Sequence, residues 1–99
     1  VVVRAVETTE SRGRMYHKAR DSGRAGAVLR DASGRRLAAY LGLAPGTPPE
    51  LVAHAVGGAT GRPVEEIRWL LGGPPPQTDT DLLDLAVRLA ALEKEIRRS

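Results

Sequence analysis

The 99-residue sequence contains no cysteine and no phenylalanine, and it has one tryptophan and two tyrosines. The absence of cysteine excludes disulfide bonds, thiolate metal ligands and cysteine nucleophiles. Sandwiches and barrels draw on aromatic and β-branched residues, so a core of leucine, valine, alanine and isoleucine favours helices. No apolar stretch approaches the roughly 18 residues that a membrane span needs.

The chain also lacks an initiator methionine and begins Val1-Val2-Val3. It has no positively charged start followed by an apolar run, which argues against a signal peptide. We therefore expect that further sequence precedes Val1 in the full protein. A chain of this length forms one hydrophobic core rather than two.

Positive charge is concentrated in the first half of the chain. Residues 1–43 carry nine basic and four acidic residues, a net +5, whereas residues 44–99 carry six basic and eight acidic residues, a net −2. This asymmetry favours an anionic neighbour for the first half, either nucleic acid, a membrane surface or an acidic protein. The candidate partner or anion contacts are Arg12, Arg14, Lys18, Arg20, Arg24, Arg30, Arg35 and Arg36.

Two regions of different composition are expected. Residues 1–22 form a basic lead, able to form a helix, that follows a membrane span in the full protein. Residues 23–99 form the helical bundle domain.

The first bundle helix, residues 24–42, carries an apolar stripe that is interrupted at Gly34 and stops at Gly42. The stripe consists of Ala25, Val28, Leu29, Ala32, Leu37, Tyr40 and Leu41.

Capping residues predict where the next helices begin and end. Thr47 and Glu50 have the spacing of a capping box, with Pro48 at the first helical position. The glycine pair at residues 57–58 is expected to end that short helix. Thr60 is expected to begin the next one, with a cap at Arg62 and Pro63 at the first helical position as the alternative. The Gly-Gly-Pro-Pro-Pro run at residues 72–76 stops that helix.

The last helix, residues 78–98, has the strongest pattern. Thr78 and Asp81 form a capping pair, and the apolar residues that follow keep a regular 3-4 spacing: Leu82, Leu85, Leu89, Leu92 and Ile96. This helix is expected to be the longest. The fold class is therefore all-α, a small bundle of four to five helices with a long C-terminal helix. Trp69 and Tyr40 are expected in the core or at its rim.

No residue set points to catalysis, to a metal or to a cofactor. The two histidines, His17 and His54, each have a carboxylate one helical turn away, which is typical of surface pairs. Without cysteine, two histidines 37 residues apart make a poor metal site. The glycines at residues 57–61 lack the preceding strand and the Gly-Lys-Ser/Thr of a phosphate loop. We expect that the protein is not an enzyme and uses no cofactor.

Nucleic-acid binding is the alternative function. Residues 49–71 have the outline of a helix-turn-helix, and the basic first half could meet phosphates. The second helix of that outline carries Glu65 and Glu66 against Arg68, however, and the DNA backbone repels an acidic helix. A membrane surface is a further candidate neighbour for the basic lead.

Five segments together resemble a known family. They are VVVRAVETTESRGR (residues 1–14), RRLAAYLG (35–42), TGRP (60–63), LLGGPPP (70–76) and DLLDLAVRLAALEKE (81–95). In order and spacing they resemble the C-terminal cytosolic tail of the bacterial membrane proteins called domain of unknown function 4350.

The resemblance implies a functional context. In that family this tail follows the second of two membrane spans, on the cytoplasmic side of the bacterial plasma membrane. The genes commonly lie beside a MoxR-type AAA+ ATPase and a protein with a von Willebrand factor A-like domain. The expected function is a non-catalytic cytosolic interaction module, an adaptor for the ATPase system. The family offers no catalytic residue to carry over to this tail.

Overall fold

The computed structural model describes residues 2–98, with side chains from residue 13 onward. It contains four helices, α1 (Val2–Tyr40), α2 (Pro49–Thr60), α3 (Val64–Gly72) and α4 (Asp79–Arg98). No strand occurs among residues 2–98. The all-α class, the helix number and the long C-terminal helix packed on α1 are therefore confirmed.

The longest helix is α1, with 39 residues, and not α4, with 20. The expected interruption at Gly34 does not occur. A glycine inside a helix costs about 1 kcal/mol, and the burial of Leu37 and Arg30 on either side of Gly34 offsets that cost. Length alone would let α1 cross a bilayer, but no helix within residues 2–98 is also apolar enough to do so.

α1 and α4 run parallel to each other, which follows from contacts at both ends. The Lys18 ammonium lies 3.2 Å from the Asp79 carboxylate at one end. Arg97 donates a 3.2 Å hydrogen bond to the Tyr40 hydroxyl at the other end. Two parallel helices need a return connection, and α2 and α3 supply it by packing against each other and against one side of the α1–α4 pair.

Aliphatic side chains from all four helices form one core. The apolar residues of α4 face it with the predicted spacing, because Leu85, Leu89, Leu92 and Ile96 are each at most 5% exposed. α1 contributes Leu37, and α2 and α3 contribute the remaining members, which are Val52, Ala53, Val56, Ile67 and Leu70. Trp69 and Tyr40 lie at the rim, 45% and 42% exposed.

Three of the predicted helix ends are confirmed. The Gly-Gly-Pro-Pro-Pro run stops α3, which ends at Gly72. Gly42 adopts a φ of 71° after the last turn of α1. The Leu43 amide donates to Ala38 and the Gly42 amide donates to Ala39, which is the Schellman pattern. At the start of α4, the Thr78 hydroxyl accepts a 3.0 Å hydrogen bond from the Asp81 amide.

Three other predicted ends are wrong. Thr47 is not an N-cap, because its hydroxyl donates to the Ala44 carbonyl and α2 begins at Pro49. The glycine pair does not end α2. A side chain at Gly57 would meet Val64 at 3.1 Å, so this glycine permits close packing inside a continuing helix. Thr60 is therefore the last residue of α2, and Gly61, with a φ of 75°, ends it.

Candidate functional site: an apolar groove along α1

A groove of about 750 Å³ runs along α1. Its floor consists of small residues of α1 at a 4-7-4 spacing, which places them on one stripe: Gly23, Ala27, Gly34 and Ala38. Two loops form its walls beside the floor: the loop between α1 and α2, residues 41–48, and the loop between α3 and α4, residues 73–78, here called the proline loop. We call the site the α1 groove.

A buried arginine fixes the proline loop against α1. Arg30 is 8% exposed, and it donates four hydrogen bonds to backbone carbonyls. The acceptors are Leu70 at 3.0 Å, Trp69 at 3.1 Å, Gly73 at 3.0 Å and Pro74 at 2.8 Å. These are carbonyls at or just beyond the end of α3, where the helix leaves acceptors unsatisfied and its dipole is negative.

The composition of the proline loop explains why an arginine is needed there. Three consecutive prolines contribute carbonyl acceptors but no N–H donors, so donors must come from another element. Burial lowers the pKa of the Arg30 guanidinium from its ordinary value, but an arginine remains charged at every physiological pH. Arg30 therefore acts as a charged cap for the end of α3.

Two glycines allow the close approach of the loop to α1. A Cβ atom at Gly26 would lie 2.5 Å from Cδ of Pro76, which is buried. A Cβ atom at Gly73 would lie 2.5 Å from the Trp69 carbonyl oxygen and 3.2 Å from Nη2 of Arg30. The segment of residues 70–76 therefore packs closely against α1. Its glycines leave room for the contact, and its prolines make the backbone stiff.

Trp69 lies between two guanidinium groups. The Arg30 and Arg88 guanidinium carbons are each 5.8 Å from the centre of the indole ring. Both distances are within the range of a cation–π contact. Trp69 thus connects the end of α3 to both α1 and α4, which explains its place at the rim.

A second polar contact between α1 and α4 centres on Glu93. This carboxylate is 6% exposed, and it accepts hydrogen bonds from the Ser33 hydroxyl at 3.0 Å and from Nε and Nη2 of Arg36. The Arg36 hydrogen bond holds the pKa of the Glu93 carboxyl below its ordinary value, while burial opposes the shift. Ser33 is fully buried, so its hydrogen bond to Glu93 fixes the register of α1 and α4.

Replacing Glu93 with glutamine is expected to lower the free energy of unfolding by about 1–2 kcal/mol near neutral pH. The reason is that the amide loses the charge-assisted hydrogen bond from Arg36. Because the folded-state pKa is lowered, the stabilisation is complete above the ordinary glutamate pKa of about 4.3. It is lost as the pH falls through the folded-state value.

Urea denaturation of both chains, from about pH 7 down to about pH 3, measures this effect. The difference between the parent chain and the Glu93→Gln variant should shrink as the pH falls below about 4.3. Glu66→Gln is the matched control, since Glu66 lies on the exposed surface of α3. A difference that stays constant across the range would contradict the role assigned to Glu93.

The eight basic residues singled out in the sequence do not form one surface. Arg30 is buried and Arg36 contacts Glu93. Lys18 pairs with Asp79, and Arg35 pairs with Asp31 at 2.8 Å. The other described members, all exposed, are Arg14, Arg20 and Arg24. The side chain of Arg12 lies outside the described residues.

The two histidines lie on exposed surface. His54 is 3.3 Å from the Glu50 carboxylate, as the sequence predicted, and Arg68 of α3 contacts the same carboxylate. The Arg68 hydrogen bond lowers the pKa of Glu50, so this cluster is an ion pair joining α2 and α3. Within residues 13–98, no group of three histidine or acidic side chains is placed to hold a metal ion.

The structure therefore defines a small helical bundle with an open apolar groove. Over all 99 residues the chain is 38% identical to the uncharacterized membrane protein Rv3691 of Mycobacterium tuberculosis, and it spans 26% of that protein's length. No protein-family model and no solved structure matches the chain. The chain is thus a helical region related to part of a membrane protein.

Proposed function

We propose that this chain is a non-catalytic interaction module of a membrane-anchored protein, and that the α1 groove binds a protein partner. The α1 groove is the observation that carries the proposal. It has a volume of about 750 Å³, and one of its walls, the proline loop, is held in place by Arg30. Apolar concavities of this kind are preferred sites of partner binding.

The proposed partner is a MoxR-type AAA+ ATPase, and the proposed location is the cytosolic side of the bacterial plasma membrane. Two observations support this context. The chain is homologous to a membrane protein, and five of its segments resemble the tail of the domain of unknown function 4350 family. In that family a gene for such an ATPase commonly lies nearby.

The proposal is tested by filling the groove. Ala27 is exposed and lies on the groove floor, so Ala27→Tyr places a ring in the groove without disturbing the core. Binding to the purified ATPase of the same organism, measured by titration calorimetry, should weaken at least tenfold. Ala91→Tyr on the exposed face of α4 is the matched control and should bind like the parent chain.

Two outcomes would overturn the proposal. If the parent chain does not bind the ATPase, the adaptor role is wrong. If Ala27→Tyr and Ala91→Tyr bind equally well, the partner uses another surface and the α1 groove is not the functional site.

Nucleic-acid binding through the basic half has less support. Two of the four arginines of residues 24–36 are held within the protein, because Arg30 bonds to carbonyls of the proline loop and Arg36 bonds to the buried Glu93. A phosphate-binding face requires basic side chains gathered on one surface. At 100° per residue, residues 24, 30 and 36 point to three different sides of α1.

A further inference from the structure

We infer that the occupant of the α1 groove is an amphipathic helix of the partner protein, with carboxylates along one edge. The inference rests on the proposed function and adds the conformation, the charge and the orientation of the bound segment. Three observations carry it, namely the length of the groove floor, the chemistry of its walls and the charges along its rim.

The floor of the groove has the dimensions of a helix. It extends from Gly23 to Ala38, which corresponds to about 23 Å at a rise of 1.5 Å per residue. A partner helix of about four turns would cover it. Because the floor residues are glycine and alanine, the backbones of the two helices can approach closely and pack along their lengths.

The walls favour a helix over an extended peptide. An extended chain in the groove would bury N–H and C=O groups, and each needs a hydrogen-bond partner. Three residues that line the groove, Pro45, Pro49 and Pro75, have no N–H to donate. A helix satisfies its own backbone groups, so it can enter an apolar groove without that cost.

Exposed charge lies along one edge of the groove, where Asp31 and Arg35 line it. Arg20 and Arg24 continue this edge toward the start of α1, because the four residues follow a 4-7-4 spacing and all are exposed. Arg30 also lines the groove, but it is buried and bonded to the proline loop. This edge has three positive charges and one negative charge. The two loops that form the walls, residues 41–48 and 73–78, contain no charged residue.

A helix with a single acidic edge is therefore complementary to the groove in one orientation only. Its carboxylates would meet the arginines of α1, and its uncharged edge would meet the loops. Arg35 and Asp31 now pair with each other at 2.8 Å, with 76% and 70% of their side chains exposed. Exposed pairs of this kind contribute little, so Arg35 can exchange Asp31 for a partner carboxylate.

Labelled peptides test the inference directly. The first probe is a fluorescein-labelled 16-residue helix with leucine and alanine on one face and glutamate along one edge. In the second peptide the glutamates become lysines, and in the third a central proline breaks the helix. Fluorescence anisotropy gives the affinity of the 99-residue chain for each, and amide NMR shifts give the location of binding.

The glutamate peptide is expected to bind, with the largest amide shifts at Ala27, Gly34 and Ala38. The lysine and proline peptides should bind at least tenfold more weakly. The Arg20→Glu, Arg24→Glu double variant should weaken binding of the glutamate peptide to a similar extent. The control is the Lys94→Glu, Arg98→Glu double variant, which changes the charge by the same amount at exposed positions of α4. It should lose much less affinity for the glutamate peptide.

Several results would overturn the inference. They include equal binding of the glutamate and lysine peptides, undiminished binding of the proline peptide, and amide shifts outside the α1 groove. Binding of phosphatidylglycerol vesicles but not of the peptide would point to a membrane surface. Dimerisation through the groove, detected by light scattering and abolished by Ala27→Tyr, would point to a second copy of the chain.

Failure of the inference and failure of the proposed function are distinguishable. If the glutamate peptide binds the groove but the ATPase does not, the helix-binding groove is supported and the named partner is wrong. If the ATPase binds equally to the parent chain and to the Arg20→Glu, Arg24→Glu variant, the interaction module is supported and the acidic-edge helix is wrong.

Discussion

Replacing Arg30 with methionine is expected to lower the free energy of unfolding by about 3 kcal/mol, because one buried and three partly buried hydrogen bonds to carbonyls would be lost. Methionine retains an apolar stem of similar length, so the loss of stability measures the contribution of the guanidinium group. Arg30 donates to four carbonyls from a position that is 8% exposed. Few single substitutions on α1 should cost as much.

Thermal and urea unfolding measure this effect. In a domain of about 100 residues, each 1 kcal/mol lowers Tm by roughly 4–8 °C, so Arg30→Met should lower it by more than about 10 °C. Arg35→Met is the matched control, since Arg35 is 76% exposed and pairs with Asp31 of the same helix. Similar losses in both variants would show that Arg30 does not fix the proline loop.

Two glycine-to-alanine substitutions in α1 are expected to have opposite effects. Gly26→Ala should destabilise the chain by about 1–3 kcal/mol, the usual cost of overpacking, because the new Cβ would lie 2.5 Å from Cδ of Pro76. Gly34→Ala should stabilise it by about 0.5–1 kcal/mol, the helix-propensity gain. No atom lies within 4 Å of a Cβ at Gly34.

Urea denaturation of the two variants measures both changes in the free energy of unfolding, the expected decrease and the expected increase. The two sites differ in their neighbours and share the same backbone conformation, so helix propensity cancels from the comparison. If Gly26→Ala were as stable as Gly34→Ala, Pro76 would not be packed against α1. The groove wall formed by the proline loop would then lack the support described above.

Much of the fold follows from local sequence. The 3-4 spacing from Leu82 to Ile96 predicted α4 and its buried face, and Thr78 and Gly42 predicted two helix ends. These features depend on residues within one or two turns of each other. The local pattern was misleading where a residue serves a contact between helices. Gly57, for example, permits contact with Val64 and does not end α2.

The buried face of α1 is the main feature that sequence periodicity missed. The pattern placed Val28 on the buried stripe, but Val28 is 68% exposed. The stripe that faces the other helices contains Gly26, Arg30, Ser33 and Leu37. An apolar periodicity cannot detect a face built from glycine, arginine and serine. Arg30 and Ser33 are buried because partners 40 and 60 positions away accept their hydrogen bonds, and Gly26 is buried because Pro76 packs against it.

The α1 groove was beyond prediction for the same reason. Its floor is a set of small residues that looks unremarkable in sequence, and its walls are two loops whose positions depend on the packing of α2 and α3. The Gly-Gly-Pro-Pro-Pro run was correctly assigned as a helix stop. The same run also packs on α1 at Arg30 and Gly26, and this contact can be seen only in the three-dimensional structure.

The most direct test of the account is site-specific photo-crosslinking between this chain and the AAA+ ATPase. A photoreactive residue replaces Ala44, which is exposed in the groove wall, and in a second preparation it replaces Ala91 on exposed α4. The account predicts a crosslinked complex from position 44 and none from position 91, with Ala27→Tyr abolishing the product. Crosslinking from position 91 alone, or from neither position, would contradict it.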